Sequence, residues 1–460
     1  MAKARFLRGT VLVPGDKSIT HRALIFSALT SGEARISGAL GALDCLSTAS
    51  CLRRLGLTID GADGTPGDEL RATGRIDLVV KSAGLKTLQS GATPFSKTTR
   101  ESPLVLDAGN SGTTMRILSG LLAGLPGHFL LSGDQSLNKR DMSRVLGQLS
   151  LMGAQVEYRP VAGKAPFVIS GGHLHGGTFV LSVASAQVEA ALLLAGLLVA
   201  GPHGTATTVT TPSKVRDHTL KAFMHLGIPF INEGTTTTVQ ALAISHPAPL
   251  AAKDVTVPGD ISSAAFFLVA AAIMPGSSIV IPAVGVNAGR GLVVDVLRRM
   301  GAKIEYKNAR EVNYEPVCDI ELVAPDRLLA TDIGAGEVPL GIDELPALAL
   351  AFALADGRSR VSGAAELKEK ESNRLGAICQ NLSNQGVKVE ELADGFIVDG
   401  AKTLAGGGQW ATLHDHRLAM TGLVAELVAA KPLALGDLDC INISYPGFGQ
   451  DLEKLAQVAV

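Results

Sequence analysis

The sequence carries little charge, and neither sign is in clear excess. Of its 460 residues, 18% are charged, and the formal net charge at pH 7 is −2. A chain with this balance has no bulk positive field to hold nucleic acid or an anionic membrane surface. Any site for an anionic ligand therefore has to gather its cations locally.

Cysteine and long apolar runs are scarce as well. The five cysteines cannot all pair and show no CxxC spacing, which is typical of free thiols in a reducing compartment. The basic start of the chain is not followed by a long apolar stretch and a cleavage site, so we expect no signal peptide. The longest apolar runs, 190–200 and 264–274, are too short to span a bilayer. We expect a cytoplasmic protein of two or three domains.

One stretch near the start, residues 14–22 with the sequence PGDKSITHR, predicts an anion site. A glycine turn leads from an expected strand into an expected helix, and the free backbone N–H groups of a helix start attract anions. Lys17 and Arg22 add positive charge where the helix dipole disfavours it, which indicates a negatively charged ligand. A solvated, basic helix start is the alternative interpretation.

The chain also repeats itself six times. In each copy a polar or glycine-bearing turn opens a helix of small apolar residues, and a β-rich stretch and a second helix follow. The openings lie at 15–18, 109–112, 182–187, 258–263, 342–344 and 414–417. Residues 13–16 and 257–260 both read Val-Pro-Gly-Asp, which predicts two halves of three copies each.

The repeat predicts an α/β (α+β) fold with two domains. One domain covers 15–253, and the other, which is discontinuous, covers 1–14 and 254–460. If each opening is a helix start that faces the other half, several positive helix ends meet in a cleft between the domains. Ordinary helix–strand alternation, which looks periodic in any α/β protein, is the alternative.

Some polar clusters have simple structural explanations when each is taken alone. On a helix, Lys370, Glu371 and Arg374 would share one side, which is typical of a salt-bridged solvent face. Asp343, three residues before Pro346, has the position of a helix N-cap. The histidines of 414–416 do not share a helical face, so we expect no metal site there.

Four motifs together resemble the EPSP synthase family, the 5-enolpyruvylshikimate-3-phosphate synthases of the shikimate pathway. They are residues 14–22, 109–113 (GNSGT), 370–375 (KESNRL) and 415–417 (DHR), in the family's order over essentially the whole chain. The resemblance implies a two-domain inside-out α/β barrel with three βαβαββ repeats in each domain. It also implies transfer of the enolpyruvyl group of phosphoenolpyruvate to the 5-hydroxyl of shikimate 3-phosphate, with release of phosphate.

The resemblance further implies no metal or organic cofactor, and no partner beyond these two small molecules. We accordingly expect neither nucleic acid nor a membrane as a partner, and we expect a monomer. The herbicide glyphosate would compete for the phosphoenolpyruvate site. Some insensitive family members have alanine where this chain keeps Gly112, so we expect a glyphosate-sensitive enzyme.

The family's site residues carry over by position. Asp343 would take the proton of the attacking hydroxyl, Glu371 would protonate the methylene carbon, and Lys17 would reach both substrates. The residues that would bind shikimate 3-phosphate are Lys17, Ser18, Arg22, Ser185, Ala186, Gln187, Ser213, Asp343 and Lys370. Those that would bind phosphoenolpyruvate are Lys17, Gly112, Arg140, Gln187, Arg374 and Arg417.

The charges of this set agree with its ligands. Each substrate carries a phosphate of about −1.5 to −2 and a carboxylate, so together they bring about five to six negative charges. Six cations are available: Lys17, Arg22, Arg140, Lys370, Arg374 and Arg417. They could keep Asp343 ionised as a base, whereas exclusion of water would raise the pKa of Glu371 for its role as an acid.

Several positions depart from the better-known branch of the family. In that branch a lysine near the C-terminal end binds phosphoenolpyruvate, but residues 442–446 of this chain contain no lysine. Arg216, Glu366 and Ile117 stand where that branch has tyrosine, asparagine and proline. These departures place the chain nearer the second, more divergent bacterial branch.

Two other functions remain as alternatives. The family that transfers enolpyruvyl to UDP-N-acetylglucosamine has a Lys-Asn pair near its start and a cysteine on a loop of its first domain. This chain has Lys17-Ser18 instead, and it has no cysteine between Cys51 and Cys318. A non-catalytic anion-binding protein on the same scaffold would need cations but not the acids Asp343 and Glu371.

Overall fold

The computed structural model describes residues 4–90, 93–199, 206–246 and 248–458. The chain divides into two compact units, one from Lys17 to Val257 and the other from the residues before and after that segment. We call them the middle unit and the terminal unit. The predicted domain boundaries lie at residues 15 and 254, whereas the two compact units meet at residues 17 and 258.

The chain begins in the terminal unit with strand β1 (Ala4–Thr10) and then enters the middle unit. The helices described in the middle unit are α1 (Lys17–Phe26), α2 (Leu43–Arg54), α3 (Leu85–Leu88), α4 (Gly112–Ala123), α5 (Ser143–Leu151), α6 (Ala186–Leu197), α7 (His218–Leu226) and α8 (Leu242–Ser245). Its strands are β2 (Thr30–Gly41), β3 (Thr58–Gly61), β4 (Gly74–Ala83), β5 (Leu104–Asp107), β6 (His128–Ser132), β7 (Gln155–Tyr158), β8 (Phe167–Ser170), β9 (Gly177–Val180), β10 (Ala206–Thr210), β11 (Phe230–Glu233), β12 (Thr236–Gln240), β13 (Leu250–Ala251) and β14 (Val255–Thr256).

The three sheets of the middle unit share one pattern, a parallel strand pair followed by two antiparallel pairs. Their strand orders are β13-β2-β4-β3, with β14 also paired to β2, then β5-β6-β8-β7 and β9-β10-β12-β11. Parallel neighbours need a crossover helix, whereas antiparallel neighbours can be joined by a hairpin. The second and third sheets with their helices are therefore βαβαββ repeats in chain order, and in the first sheet the parallel strands β13 and β14 come from the end of the unit.

The terminal unit repeats this plan in a less regular form. Its further helices are α9 (Ile261–Ala272), α10 (Leu292–Arg299), α11 (Leu345–Ala353), α12 (Arg374–Asn384), α13 (His416–Val428) and α14 (Phe448–Leu455). Its further strands are β15 (Ser278–Gly285), β16 (Lys303–Val312), β17 (Glu315–Val323), β18 (Arg358–Val361), β19 (Lys388–Leu392), β20 (Gly395–Asp399), β21 (Gln409–Trp410), β22 (Ala434–Leu435) and β23 (Ala456–Val458). The sheets are β16-β17-β15-β1-β23, β18-β20-β19 and the parallel pair β21-β22.

The six predicted openings all lead into helices, namely α1, α4, α6, α9, α11 and α13. The predicted α/β fold with three repeats in each half is confirmed. Within the described residues, no helix combines the length and the apolar character that crossing a bilayer requires.

The helices that follow these openings form the centre of each core. Every residue of α9 is buried, and α6 is buried from Val188 to Leu197. Small side chains make this possible: a Cβ placed on Gly120 of α4 would lie 2.1 Å from the backbone oxygen of Ala191 in α6. Close approach of this kind excludes any larger residue at position 120 and holds α4 and α6 against each other.

A buried arginine organises one edge of the terminal unit. Arg290 is 4% exposed, and its guanidinium donates to Asp16, to Asp260 Oδ1 at 2.7 Å and to Ser262 Oγ at 2.6 Å. Ser262 in turn donates to the buried carboxylate of Glu344. One guanidinium thus serves a cluster of three buried acids, of which Asp16 directly precedes the middle unit.

Candidate active site

In the middle unit, three helix starts lie together. Helices α4 and α6 are capped by Ser111, which accepts from the Thr114 N–H at 3.1 Å, and by Ser185, which accepts from the Val188 N–H at 3.4 Å. Gln187 Nε2 donates to Thr113 Oγ1 at 2.9 Å and so ties these two starts together. Their remaining N–H groups point out of the helix ends, where an anion is favoured.

Arg22 of α1 joins the third helix start to this group. It is 3% exposed, and its Nη2 donates to the backbone oxygen of Ala186 at 3.5 Å. Its Nε donates to Thr219 Oγ1 at 2.9 Å, and its Nη1 donates to the backbone oxygen of Ser18 at 3.0 Å. Because the guanidinium is held from three sides, its orientation is fixed before any ligand binds.

Two guanidiniums lie against the backbone of Gly112, the first residue of α4. A Cβ on Gly112 would be 2.7 Å from Arg116 Nη1 and 3.3 Å from Arg140 Nη1. Arg116 donates to Gln187 Oε1 at 3.1 Å, and Arg140 donates to Asn110 Oδ1 at 3.0 Å. The arrangement resembles a cradle for an anion that approaches the helix start.

Two further predicted residues lie at the edge of this region. Lys17 forms an ion pair with Asp44, and the two side chains are 20% and 4% exposed. Ser213 lies on an exposed loop between β10 and α7, where its backbone oxygen accepts from Thr211 Oγ1 at 2.8 Å. We call this set the middle cluster. Its members are Lys17, Ser18, Arg22, Asp44, Gly112, Arg116, Arg140, Ser185, Ala186, Gln187 and Ser213.

Two residues of the middle cluster, Arg116 and Asp44, were not among the residues predicted from the sequence. Arg116 lies one helical turn after Gly112, so the i,i+4 spacing on α4 was a signal that could have identified it. Asp44 lies at the start of α2, far from Lys17 in sequence, and no spacing indicates the pair.

The terminal unit contributes a second cluster centred on Arg374. This side chain is 1% exposed, and Asp415 beside it is fully buried. Arg374 Nε donates to Asp415 Oδ2 at 2.7 Å, and Nη2 donates to Oδ1 at 3.2 Å, which makes the contact bidentate. Burial alone would lower the pKa of Arg374, but Asp415 and Glu371 hold that pKa above its usual value. Arg374 is therefore a permanent cation.

Both candidate acids of the sequence analysis contact this arginine. Arg374 Nη1 donates to Asp343 Oδ1 at 3.3 Å, and Nη2 donates to Glu371 Oε2. Lys370 Nζ lies 3.8 Å from Asp343 Oδ1, and Arg417 Nη1 donates to the backbone oxygen of Asp343 at 3.0 Å. The structure thus brings together all five residues predicted in this half, and we call them the terminal cluster.

The route by which these residues meet differs from the expectation. Lys370, Glu371 and Arg374 do not share one helix, because Asn373 caps α12 by accepting from the Gly376 N–H at 3.1 Å. Lys370 and Glu371 lie on the connection before that cap, and Arg374 is buried rather than on a solvent face. The interpretation of these three residues as a salt-bridged, solvent-facing side of one helix was therefore wrong.

The N-cap interpretation of Asp343 was wrong as well. Asp343 lies within a single 3₁₀ turn, Ile342–Glu344, and α11 begins after it without a side-chain cap. Its carboxylate is 20% exposed and faces the cations of Lys370 and Arg374. A carboxylate placed in this way can accept a proton from a ligand.

Glu189, in the first turn of α6, is a buried acid near Arg22. It is 5% exposed and accepts from Thr237 Oγ1 at 3.3 Å. Burial raises its pKa from 4.5 to about 7. The hydrogen bond from Thr237 and the charge of Arg22 offset this rise only in part, and the charge of Asp217 reinforces it. The folded protein therefore holds a proton that the unfolded chain has released, and the free energy of unfolding falls as the pH rises through this window.

We expect Glu189→Gln to make the protein more stable at high pH only. Glutamine keeps the acceptor oxygen for Thr237 but never ionises, so the variant should gain about 3 kcal/mol over the wild type at pH 8 and much less at pH 5. Urea unfolding of both proteins at the two pH values measures the difference. A difference that does not change with pH would contradict the prediction.

Comparison with known proteins agrees with this arrangement. Residues 1–452 match the sequence model of the family described as EPSP synthase (3-phosphoshikimate 1-carboxyvinyltransferase). A 3-phosphoshikimate 1-carboxyvinyltransferase of Pelotomaculum thermopropionicum is 44% identical over 456 residues, which cover 99% of this chain and 98% of that protein. One of Bacillus subtilis is 38% identical over 455 residues, with 99% of both chains covered.

Solved structures give the same result for the fold. EPSP synthase from Acinetobacter baumannii superposes with a TM-score of 0.82 at 33% identity, and the match covers 100% of this chain and 98% of that one. Sequence and fold therefore agree over essentially the full length, and the chain belongs to the EPSP synthase (3-phosphoshikimate 1-carboxyvinyltransferase) family.

Proposed function

We propose that the middle and terminal clusters carry out the reaction of this family. The reaction transfers the enolpyruvyl group of phosphoenolpyruvate to the 5-hydroxyl of shikimate 3-phosphate and releases phosphate, a step of aromatic amino acid biosynthesis. The observation that carries the assignment of roles is that Arg374 contacts both Asp343 and Glu371. A site that only bound anions would need the cations but not these two acids.

Asp343 is the base that we assign to the attacking hydroxyl. Its Oδ1 lies 3.3 Å from Arg374 Nη1, 3.8 Å from Lys370 Nζ and 4.0 Å from Arg417 Nε. Three positive charges at these distances favour the ionised carboxylate, which is the form that accepts a proton. As the 5-hydroxyl forms its bond to the phosphate-bearing carbon of phosphoenolpyruvate, its proton passes to Asp343.

Glu371 is the acid that we assign to the methylene carbon. Addition across the double bond requires a proton at that carbon, and the side chain of Glu371 is 18% exposed beside Arg374. The product again carries a methylene group, so one proton of the methyl group formed by the addition has to leave as the phosphate departs. A single carboxyl group that gives a proton to this carbon and then takes one from it satisfies this balance.

The remaining residues bind and orient the substrates. In the middle cluster, Lys17, Ser18, Arg22, Ser185, Gln187 and Ser213 bind shikimate 3-phosphate, and Ala186 can contribute only its backbone N–H. Gly112, Arg140, Arg374 and Arg417 surround phosphoenolpyruvate, with Lys17 and Gln187 reaching both substrates. Arginines suit this task because each can bind a carboxylate or a phosphate through two parallel hydrogen bonds.

We also propose that the chain lies nearer the second, more divergent bacterial branch of the family. The departures at Arg216, Glu366 and Ile117 support this placement, as does the absence of a lysine from 442–446. Glu366 accepts from Lys370 Nζ at 3.0 Å, so the residue that replaces an asparagine here contacts a proposed substrate ligand. A cytoplasmic monomer remains our expectation, and the five free, buried cysteines support a reducing compartment.

A phosphate-release assay tests the function directly. Purified protein is mixed with phosphoenolpyruvate and either shikimate 3-phosphate or UDP-N-acetylglucosamine, and inorganic phosphate is followed by a coupled reaction. We expect turnover with shikimate 3-phosphate only. Turnover with the nucleotide sugar would indicate the sister reaction, and ligand binding without phosphate release would indicate a non-catalytic protein.

We expect Gly112→Ala to separate glyphosate from phosphoenolpyruvate. The added methyl group would press on Arg116 and Arg140, at 2.7 and 3.3 Å, so at least one guanidinium has to move. Glyphosate is longer than phosphoenolpyruvate and needs this space more. The inhibition constant for glyphosate should therefore rise roughly tenfold or more, and the KM for phosphoenolpyruvate should rise less.

Inhibition curves at fixed phosphoenolpyruvate compare the variant with the wild type. Gly147→Ala in α5 is the matched control, because a Cβ there meets no atom within 4 Å. A wild-type enzyme that millimolar glyphosate leaves untouched would contradict the prediction, because the pocket would then be closed by something other than residue 112.

A further inference from the structure

A buried chain of hydrogen bonds connects three helices of the middle unit. His21 Nδ1 lies 2.8 Å from Thr48 Oγ1, which lies 2.6 Å from Thr114 Oγ1, and Thr114 donates to Ser111 Oγ at 2.7 Å. All four side chains are fully buried. We call this chain, from α1 through α2 to α4, the His21 relay.

The two ends of the His21 relay lie at different parts of the middle cluster. His21 lies one turn after Lys17 and next to Arg22, which are proposed to bind shikimate 3-phosphate. Ser111 caps α4 directly before Gly112, where phosphoenolpyruvate is proposed to bind. None of the four relay residues belongs to the proposed substrate ligands.

The environment of His21 fixes its protonation. Burial first, and then the charges of Lys17 and Arg22, hold the pKa of His21 well below its usual value, so the ring is neutral and carries one N–H. Its Nε2 is buried without a hydrogen-bond partner among the described residues, whereas Nδ1 faces the hydroxyl of Thr48. An orphaned N–H is rarer in proteins than an under-satisfied acceptor, so the proton belongs on Nδ1.

Protonation at Nδ1 gives the whole relay one direction. His21 donates to Thr48, Thr48 can then donate only onward to Thr114, and Thr114 donates to the cap Ser111. The hydroxyls of Thr48 and Thr114 each accept one hydrogen bond and donate one, and Ser111 Oγ accepts from both the hydroxyl and the backbone N–H of Thr114, so reversing Thr48 would leave two donors facing each other. Hydrogen bonds that point the same way also polarise and strengthen one another.

We propose that His21, Thr48 and Thr114 are positioning residues that hold the start of α4 in register with the start of α1, and so shape the phosphoenolpyruvate subsite. The inference rests on the proposed function, because it assigns these residues to that same site. The relay acts through the cap at Ser111 and through no direct contact with substrate.

The test is a set of substitutions in the middle of the relay. Thr48→Val keeps the shape of the side chain but removes the hydroxyl, and Thr48→Ser keeps the hydroxyl. Thr207→Val is the matched control, because Thr207 is also fully buried in this unit and its hydroxyl has no partner among the described residues. Steady-state kinetics with both substrates are measured for all three variants.

We expect Thr48→Val to raise the KM for phosphoenolpyruvate roughly three- to tenfold and to leave kcat within about twofold. The KM for shikimate 3-phosphate should change less, because the contacts of Arg22 with Thr219 and of Lys17 with Asp44 do not involve Thr48. Thr48→Ser should restore the KM for phosphoenolpyruvate, and Thr207→Val should leave it unchanged. An unchanged KM in Thr48→Val, or an equal rise in Thr207→Val, would overturn the proposal.

A second measurement needs no activity. In protein labelled with ¹⁵N-histidine, the His21 ring signals, assigned with a His21→Asn variant, should show a neutral ring protonated at Nδ1 throughout pH 6 to 8. A ring protonated at Nε2, or one that titrates in this range, would overturn the proposal. A wild type that releases no phosphate would instead refute the proposed function, and the NMR result would still decide whether the relay has the stated direction.

Discussion

Asp343→Asn and Glu371→Gln should each lower kcat by about 10²–10⁴-fold and change the KM values much less. Both substitutions keep the size of the side chain and an oxygen that can accept from Arg374, so the contacts at 3.3 Å to Asp343 and the one to Glu371 can persist. What each variant loses is a group that exchanges a proton with the substrate. The loss should therefore be confined to the chemical steps.

Phosphate release under saturating substrates measures this effect. Glu366→Gln is the matched control, because Glu366 is a half-exposed carboxylate 3.0 Å from Lys370 and has no proposed role in proton transfer. Its kcat should stay within a few-fold of the wild type. Near-normal turnover in both Asp343→Asn and Glu371→Gln would remove the proposed mechanism, and near-normal turnover in one of them would remove the role of that residue.

The repeats could be predicted from the sequence because their signals are local. An opening such as 109–112 places glycine and a small capping side chain shortly before a stretch rich in apolar residues, and α4 begins there, with Ser111 as its cap. The pairing of the strands into sheets was harder to predict from the sequence. β23 pairs with β1 across almost the whole length of the chain, and no local pattern determines such a contact.

The terminal cluster shows where local patterns mislead. The spacing of Lys370, Glu371 and Arg374 fits one face of a helix, but α12 begins only at Arg374, where the side chain of Asn373 caps it, and the preceding residues lie outside the helix. The three side chains still converge, because a buried Arg374 gathers the carboxylates around it. Their grouping was predicted from family resemblance, and the physical cause became visible only in the structure.

Ion pairs between residues that are distant in the sequence were harder to predict than the helices. Lys17 and Asp44 are 27 residues apart along the printed sequence, and Arg290 contacts Asp16 across most of the chain. In the sequence, Asp16, Asp44 and Arg290 resemble ordinary surface charges, and Lys17 resembles a ligand for an anion. Only the tertiary fold removes them from water and makes each depend on its partner.

Arg290 should therefore be among the residues on which stability depends most. We expect Arg290→Met to lower the free energy of unfolding by about 3–5 kcal/mol, because it leaves buried carboxylates without their counter-ion. Asp16 and Asp260 pair with the guanidinium directly, and Glu344 is connected to it through Ser262. Methionine fills a similar volume, so the lower free energy of unfolding would come from the lost positive charge and not from a cavity.

Urea unfolding of the full-length chain provides the measurement, and the sequence offers a matched control. Arg299→Met removes an arginine that is 39% exposed and pairs with Glu337 at 3.0 Å, so it should cost less than about 1 kcal/mol. The same Arg290→Met change made in an Asp16→Asn background should also cost less than in the wild type, because one buried charge has already been removed. If Arg290→Met cost no more than Arg299→Met, or cost the same in both backgrounds, the acids around position 290 would not depend on its charge, and their burial would need another explanation.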